Sequence, residues 1–197
     1  MKRIKNLKLK IKNFAGFTMI ELLIVIAVLG VLAVAVLSAI NPIEQINRSR
    51  DTGSRADAEQ LLGAIDRYYT SMGWYPWFFE SCAAANCPLA WTDSNDVGWV
   101  DNGGATAVAV MDKLSQQGTA ELKAAFVTRI QDTNYNPLWV YNHGDSGDAT
   151  YACFHPKSAS FQTEAMNRCT TGLPPDLDPI VATVCTGDES TVFSCLP

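Results

Sequence analysis

Glu21 is the only ionisable side chain between Phe17 and Ile40, and from Leu22 to Leu37 no side chain is polar. A carboxylate at the edge of a membrane-length apolar run is costly to bury alone, so it needs a partner or a task. The chemistry open to it is electrostatic, pairing with a cation. The other reactive residue types lie downstream. Cys82, Cys87, Cys153, Cys169, Cys185 and Cys195 all follow the apolar run. His143 and His155 sit in or beside a turn, and neither belongs to a nucleophile motif. Gly-x-Ser-x-Gly, a phosphate loop and a dinucleotide fingerprint are all missing from the sequence, which therefore reads as non-enzymatic. Cys153-x-His155 lacks the paired cysteine spacing of a zinc site. Asp93-Ser-Asn95-Asp96 is acid-rich and broken by Gly98, but it lacks the full calcium loop and its closing glutamate, so a solvated turn is the preferred reading.

The elements that carry these residues follow from charge and hydropathy. Phe17 to Ile40 is long enough, at roughly 36 Å of helix, to cross a bilayer core of ~30 Å. Lys2, Arg3, Lys5, Lys8, Lys10 and Lys12 precede it. They hold that end in the cytoplasm and place everything after Ile40 outside. Without those six, the chain keeps nine Lys and Arg against all 20 Asp and Glu, a formal charge of −11. A basic leader ahead of an acidic body is the pattern of a targeting segment on an exported domain, not of a nucleic-acid binder. An even number of cysteines in an exported domain favours disulfides. Their connectivity is not fixed by spacing. The preferred pairs are Cys82–Cys87, closing a small loop, and Cys185–Cys195, tying down the C-terminus, which leaves Cys153–Cys169.

Pro42 should kink or pause the helix. The pattern then resumes with Ile43 and Ile46, and Leu61, Leu62, Ile65, Tyr68, Tyr69 and Met72 recur at three- and four-residue spacings. Arg55, Asp57, Glu59, Asp66 and Arg67 fall mostly on the other side. This predicts one long helix over about 17–72, kinked at Pro42. It is weakened near Gly53 by ~1 kcal/mol relative to alanine, and Ser54 with Asp57 could cap a restart there. Gly73 ends it. The aromatic run Trp74–Phe79 is expected to cap the core. Residues 80–104 read as loop, with short helices over about 106–117 and 120–131. Leu138–Tyr141 and Thr150–Phe154, separated by a dense turn signal, predict an antiparallel hairpin. Val181–Val184 and Thr191–Phe193 are weaker strand candidates, and Leu173–Pro179 is expected to be a surface loop. From residue 133 onward only Lys157 and Arg168 oppose Asp145, Asp148, Glu164, Asp176, Asp178, Asp188 and Glu189. That acidic end repels phosphates, so direct nucleic-acid binding is not expected.

Gly16-Phe-Thr-Met-Ile-Glu21, continued by Leu22-Leu-Ile-Val-Ile-Ala-Val-Leu-Gly30, resembles the type IV prepilin cleavage motif, shared by type IV pilins and type II secretion pseudopilins. The resemblance implies an α+β fold. A long N-terminal helix with a protruding apolar half would pack its amphipathic half on a small antiparallel sheet. The implied segments are a removed leader 1–16, a transmembrane and filament-core helix 17–40, an amphipathic half 41–72 and an extracytoplasmic globular domain 73–197. It implies cleavage between Gly16 and Phe17 by prepilin peptidase, which also methylates the new amino group. Glu21 would pair with the Phe17 ammonium of a neighbouring subunit. Gly30 and Pro42 would bracket a stretch that loses helix in the filament, although Pro42 falls later than the family's usual proline. The implied partners are the membrane, identical or related pilin subunits, and an inner-membrane assembly platform with its ATPase. The implied location is a single-pass cytoplasmic-membrane precursor, N-terminus inside, and then an extracytoplasmic or surface filament. Some pseudopilins hold calcium in a loop of the globular domain, which makes Asp93, Asn95 and Asp96 the candidates for Ca2+; no other cofactor is implied. A terminal disulfide loop is likewise similar to that of some pilins.

Three other readings compete. Ala33-Val-Ala35 has the small-x-small form of a signal-peptidase site. A plain signal-anchor is the second. A membrane-anchored or secreted carbohydrate-binding domain using Trp74, Trp77, Trp91 and Trp99 is the third.

Overall fold

The computed structural model describes residues 16–79, 88–94, 99–116, 119–132, 134–145, 147–188 and 190–197. The chain divides into two units, one ending at Pro42 and one running from Ile43 to Pro197. The first unit holds α1, Met19–Ala39. Its apolar residues run all the way round, so it has no core-facing stripe, and its large hydrophobic side chains are exposed. By length and composition it could cross a membrane.

The long helix expected over 17–72 is two helices. Ile40 turns extended at the end of α1, with φ −105° and ψ 128°, and α2 runs from Pro42 to Met72. The reason is local. Proline disfavours helix in the residue before it, here Asn41, and is well placed at a first helical position, where the missing N–H has no partner to lose. Gly53, expected to soften α2, lies inside an unbroken helix. No restart occurs there, and Ser54 and Asp57 are both buried instead.

In the second unit the hydrophobic face of α2, with Ala58, Leu61, Leu62, Ile65 and Tyr68, builds the main core. It packs with β2 (Leu138–Asn142), β3 (Thr150–Phe154), α3 (Val110–Ser115) and α4 (Ala124–Ile130). The hairpin forms where expected, in register from Leu138 opposite Phe154 to Asn142 opposite Thr150. Two further strands, β1 (Leu89–Asp93) and β4 (Ser194–Leu196), complete an antiparallel sheet of order β1-β2-β3-β4. Strand alternation divides β3 between two cores. Ala152 and Phe154 join the α2 side, whereas Tyr151 and Cys153 join a second cluster with Leu177 and Val184. The α+β fold class therefore holds, with both sheet faces covered.

Several segments differ from expectation. Val181–Val184 is α6, a single helical turn, because β4 already occupies the free edge of β3. The last strand begins at Ser194, just past the expected 191–193. Residues 173–179 are not all surface: Pro175–Ile180 is a 3-10 helix that buries Leu177. A 13-residue helix, α5 (Ala159–Thr171), forms where the sequence pattern predicts no element. The aromatic run does cap the core. Trp77 is buried, and Trp74, Tyr75 and Phe78 pack against the main cluster. Trp99 is buried as well, which removes it and Trp77 from any carbohydrate platform.

Two disulfides lie among the described residues, Cys153–Cys195 and Cys169–Cys185. The preferred pairing is corrected on both counts. Antiparallel pairing of β3 with β4 puts Cys153 directly opposite Cys195, and the end of α5 lies beside the end of α6. Cys82 and Cys87 fall outside the described residues. Removing the Cys169–Cys185 link with a paired alanine substitution should cost about 3 kcal/mol by loop-closure entropy, read as a lower urea midpoint for the oxidised chain in detergent.

Buried polar groups pin the loops. Asp51 of α2 accepts hydrogen bonds from the Lys157 N–H at 2.9 Å and the Ser158 N–H at 2.7 Å, fixing the start of α5. Asp57, expected to face solvent, is buried and accepts from Arg129 Nη2 at 2.6 Å and from the Tyr135 hydroxyl. Burial and the Asp57 carboxylate push the Tyr135 hydroxyl up to about 12. Lys113 pairs with the buried Asp101 and donates to the Phe78 carbonyl at 2.7 Å.

Candidate processing and assembly site

Gly16, Phe17 and Thr18 precede α1 in non-helical chain, and Phe17 is exposed. Extended, exposed backbone is what a protease needs to bind across a peptide bond, whereas a helix hides it in its own hydrogen bonds. A Cβ added at Gly16 meets nothing within 4 Å. The chain's own packing therefore does not demand glycine there, and any requirement must come from what binds the chain.

Thr18 is the N-cap of α1, with φ −79° and ψ 149°. Its hydroxyl accepts from the Glu21 N–H at 3.3 Å, and its own N–H donates to Glu21 Oε2 at 3.4 Å. This reciprocal capping box satisfies two backbone donors that a helix start leaves without partners. Glu21 thus has a local task that the sequence reading missed, although Thr-x-x-Glu ahead of an apolar run is its signature. The carboxylate also sits at the positive end of the helix dipole. A cut after Gly16 would place a new ammonium one residue before that cap.

A family model described as the prokaryotic N-terminal methylation motif matches residues 11–37. This is the type IV pilin and pseudopilin signature. It covers Gly16, Phe17, Glu21 and α1 as far as Leu37, and does not reach the second unit. Searches of curated proteins and of solved structures found no match for the chain. The signature belongs to a family that is structural rather than enzymatic, and here it is confined to the N-terminal part of the chain.

The remaining candidates are spread apart. α1 passes through Gly30 without a break, and a Cβ there meets nothing within 4 Å. Asp93 ends β1, whereas Asn95 and Asp96 lie outside the described residues. His155 stacks edge-on against Phe193 at 5.5 Å between ring centroids. His143 lies in the hairpin turn with Asp145 and Asp148, its Nδ1 2.8 Å from Asp148 Oδ2. The ligand-type atoms of these three lie within 4.8 Å of one another. Asp148 also accepts the Asp145 N–H at 3.0 Å, so the turn uses this carboxylate itself. Its hydrogen bond raises the His143 pKa above the ordinary 6.5, with Asp145 and Asp176 adding to it against a smaller opposing effect of burial. A raised histidine stabilises the turn fully below 6.5 and loses that contribution as pH rises through its folded value. Asp148→Asn should bring the His143 titration, followed by NMR, back down towards 6.5.

Proposed function

We propose that the chain is the precursor of a filament subunit of the type IV pilus and pseudopilus class. Prepilin peptidase cuts between Gly16 and Phe17 on the cytoplasmic side and methylates Phe17. α1 then holds the mature subunit in the cytoplasmic membrane until an assembly platform draws it into a helical filament with related subunits, leaving the acidic second unit outside. The observation that supports this reading is one of register: within the matched span 11–37, Gly16 and Phe17 lie in non-helical chain just before α1, and Glu21 sits at the cap of that helix. Glu21 pairs there with the Phe17 ammonium of a neighbour, because two charges that are each expensive in an apolar bundle offset one another only when registered.

Intact mass and N-terminal sequencing of the membrane-extracted protein test this directly. N-methyl-Phe17 is the expected terminus. Val36 would mean a secretory signal and Met1 an uncut anchor, and either sinks the proposal. Abundant chain in sheared surface filaments then assigns it to a pilus, and recovery only in the cell envelope to a secretion pseudopilus.

A further inference from the structure

The second unit carries opposite charges at the two ends of its β2–β3 hairpin. At the open end, a cleft of about 430 Å³ lies between α2 and the segments flanking the hairpin. Arg50 of α2, Arg129 of α4 and Lys157 after β3 line it, with Asp57 the one acid among the described residues of the lining. Ion pairs among the described residues engage Arg55, Arg67, Lys113, Arg129 and Arg168. Arg50 and Lys157 are in none of them and both are exposed. A lining with a net formal charge of +2 stands out in a chain that is −11 beyond its leader.

At the turn end the sign is reversed. Asp145 and Asp148 sit in the turn, and the Asp145 side chain is 52% exposed. Asp176 is tied to the same end by accepting the Ala149 N–H at 3.1 Å and the Tyr151 hydroxyl at 2.8 Å. Asp178 is exposed two residues further on. The paired strands from Leu138–Phe154 to Asn142–Thr150 separate the two ends by about 14 Å. That exceeds the ~8 Å over which exposed charges act at physiological salt. The two patches therefore do not serve one another within one copy.

Complementary patches at opposite ends of one body make a head-to-tail interface, and such an interface propagates as an open helical array when its rotation does not close a ring. We propose that the cation cleft of Arg50, Arg129 and Lys157 receives the acidic turn of Asp145, Asp148 and Asp176 from the next copy of this chain. The inference rests on the filament reading and adds to it a contact between outer domains, independent of α1. Opposed charges of this kind set register and suppress wrong neighbours more than they add affinity.

Two measurements test it. Zero-length carbodiimide treatment of wild-type filaments should join Lys157 to Asp145, Asp148, Asp176 or Asp178, and the same peptide pair should be absent from monomer in detergent. R50E with K157E should leave the mature, membrane-inserted monomer at normal level but lower filament recovery roughly tenfold or more. Adding D145K and D178K to that chain should restore it. Normal filaments from R50E/K157E, or Lys157 cross-links only to carboxylates elsewhere, overturn the contact and leave the proposed function standing. So does a wild-type chain that titrates with inorganic phosphate where R50E/K157E does not while both form filaments, since the cleft would then belong to a soluble anion. A wild-type chain that is cut to Phe17 but never recovered in filaments overturns both.

Discussion

Glu21→Gln should leave the precursor inserted and cut after Gly16, yet remove it from filaments. Glutamine keeps the carbonyl oxygen that accepts the Thr18 N–H, so the capping box, the start of α1 and the chain presented to the peptidase are all preserved. Only the charge is lost. Under the proposed function that strands the Phe17 ammonium of a neighbour in an apolar bundle, a loss of about 3–5 kcal/mol at each subunit contact. Filament growth repeats that contact at every step, so the effect on yield is all but complete.

Thr18→Ala makes the opposite cut. It removes the cap hydroxyl, at about 1 kcal/mol, and keeps the carboxylate. Filaments should persist, with some fraying at the start of α1. Pelleting of sheared filaments, read beside the level of mature monomer, separates the two roles. Normal filaments from Glu21→Gln combined with loss from Thr18→Ala would reassign Glu21 to holding its own helix together. Glu21→Leu removes both functions and cannot discriminate.

The capping role is legible as Thr18-x-x-Glu21, but the same acid also stands out as a lone charge beside the apolar run, and that contrast masks the cap. Other features were legible for plain reasons. The hairpin pairs near neighbours across an unmistakable turn, and the face of α2 repeats at helical spacing. What escaped depends on partners distant in sequence. The start of α5 is fixed by Asp51, more than a hundred residues earlier, and the helix buries only Ala165, too little to imprint a period. The Cys153–Cys195 disulfide follows from where β4 pairs, and a three-residue strand carries almost no pattern of its own. Val181–Val184 has the composition of a strand, but the edge of β3 is taken by β4. Asp57 fits the polar side of α2 by type, and only Arg129 and Tyr135 arriving from elsewhere make its burial tolerable. The cleft arises in the same way, from α2, α4 and the chain after β3.

Lys113→Met should strongly destabilise the second unit. Methionine keeps much of the apolar stem, so the substitution tests the ammonium rather than the packing. That ammonium pairs with Asp101 and donates to the Phe78 carbonyl, joining α3 to the loop before it and to the aromatic run that caps the core. Asp101 also accepts the Gly103 N–H at 3.0 Å and the Val108 N–H at 3.2 Å. Both charged residues are buried, so removing the cation leaves a carboxylate without a counter-charge, at about 3–5 kcal/mol. The pH dependence gives the signature. Burial opposes ionisation of Asp101, but its bonds to Lys113, Gly103 and Val108 outweigh that and hold the carboxyl below its ordinary 3.8. Wild type therefore keeps this stabilisation above 3.8 and loses it as pH falls through the folded value. In Lys113→Met burial has lost its main opponent, and protonation of Asp101 relieves the stranded charge. The gap between the two proteins in urea unfolding should then be widest near neutral pH and narrow on acidification. A gap that stays constant with pH would mean that Lys113 acts through its stem and its bond to Phe78, not through its charge.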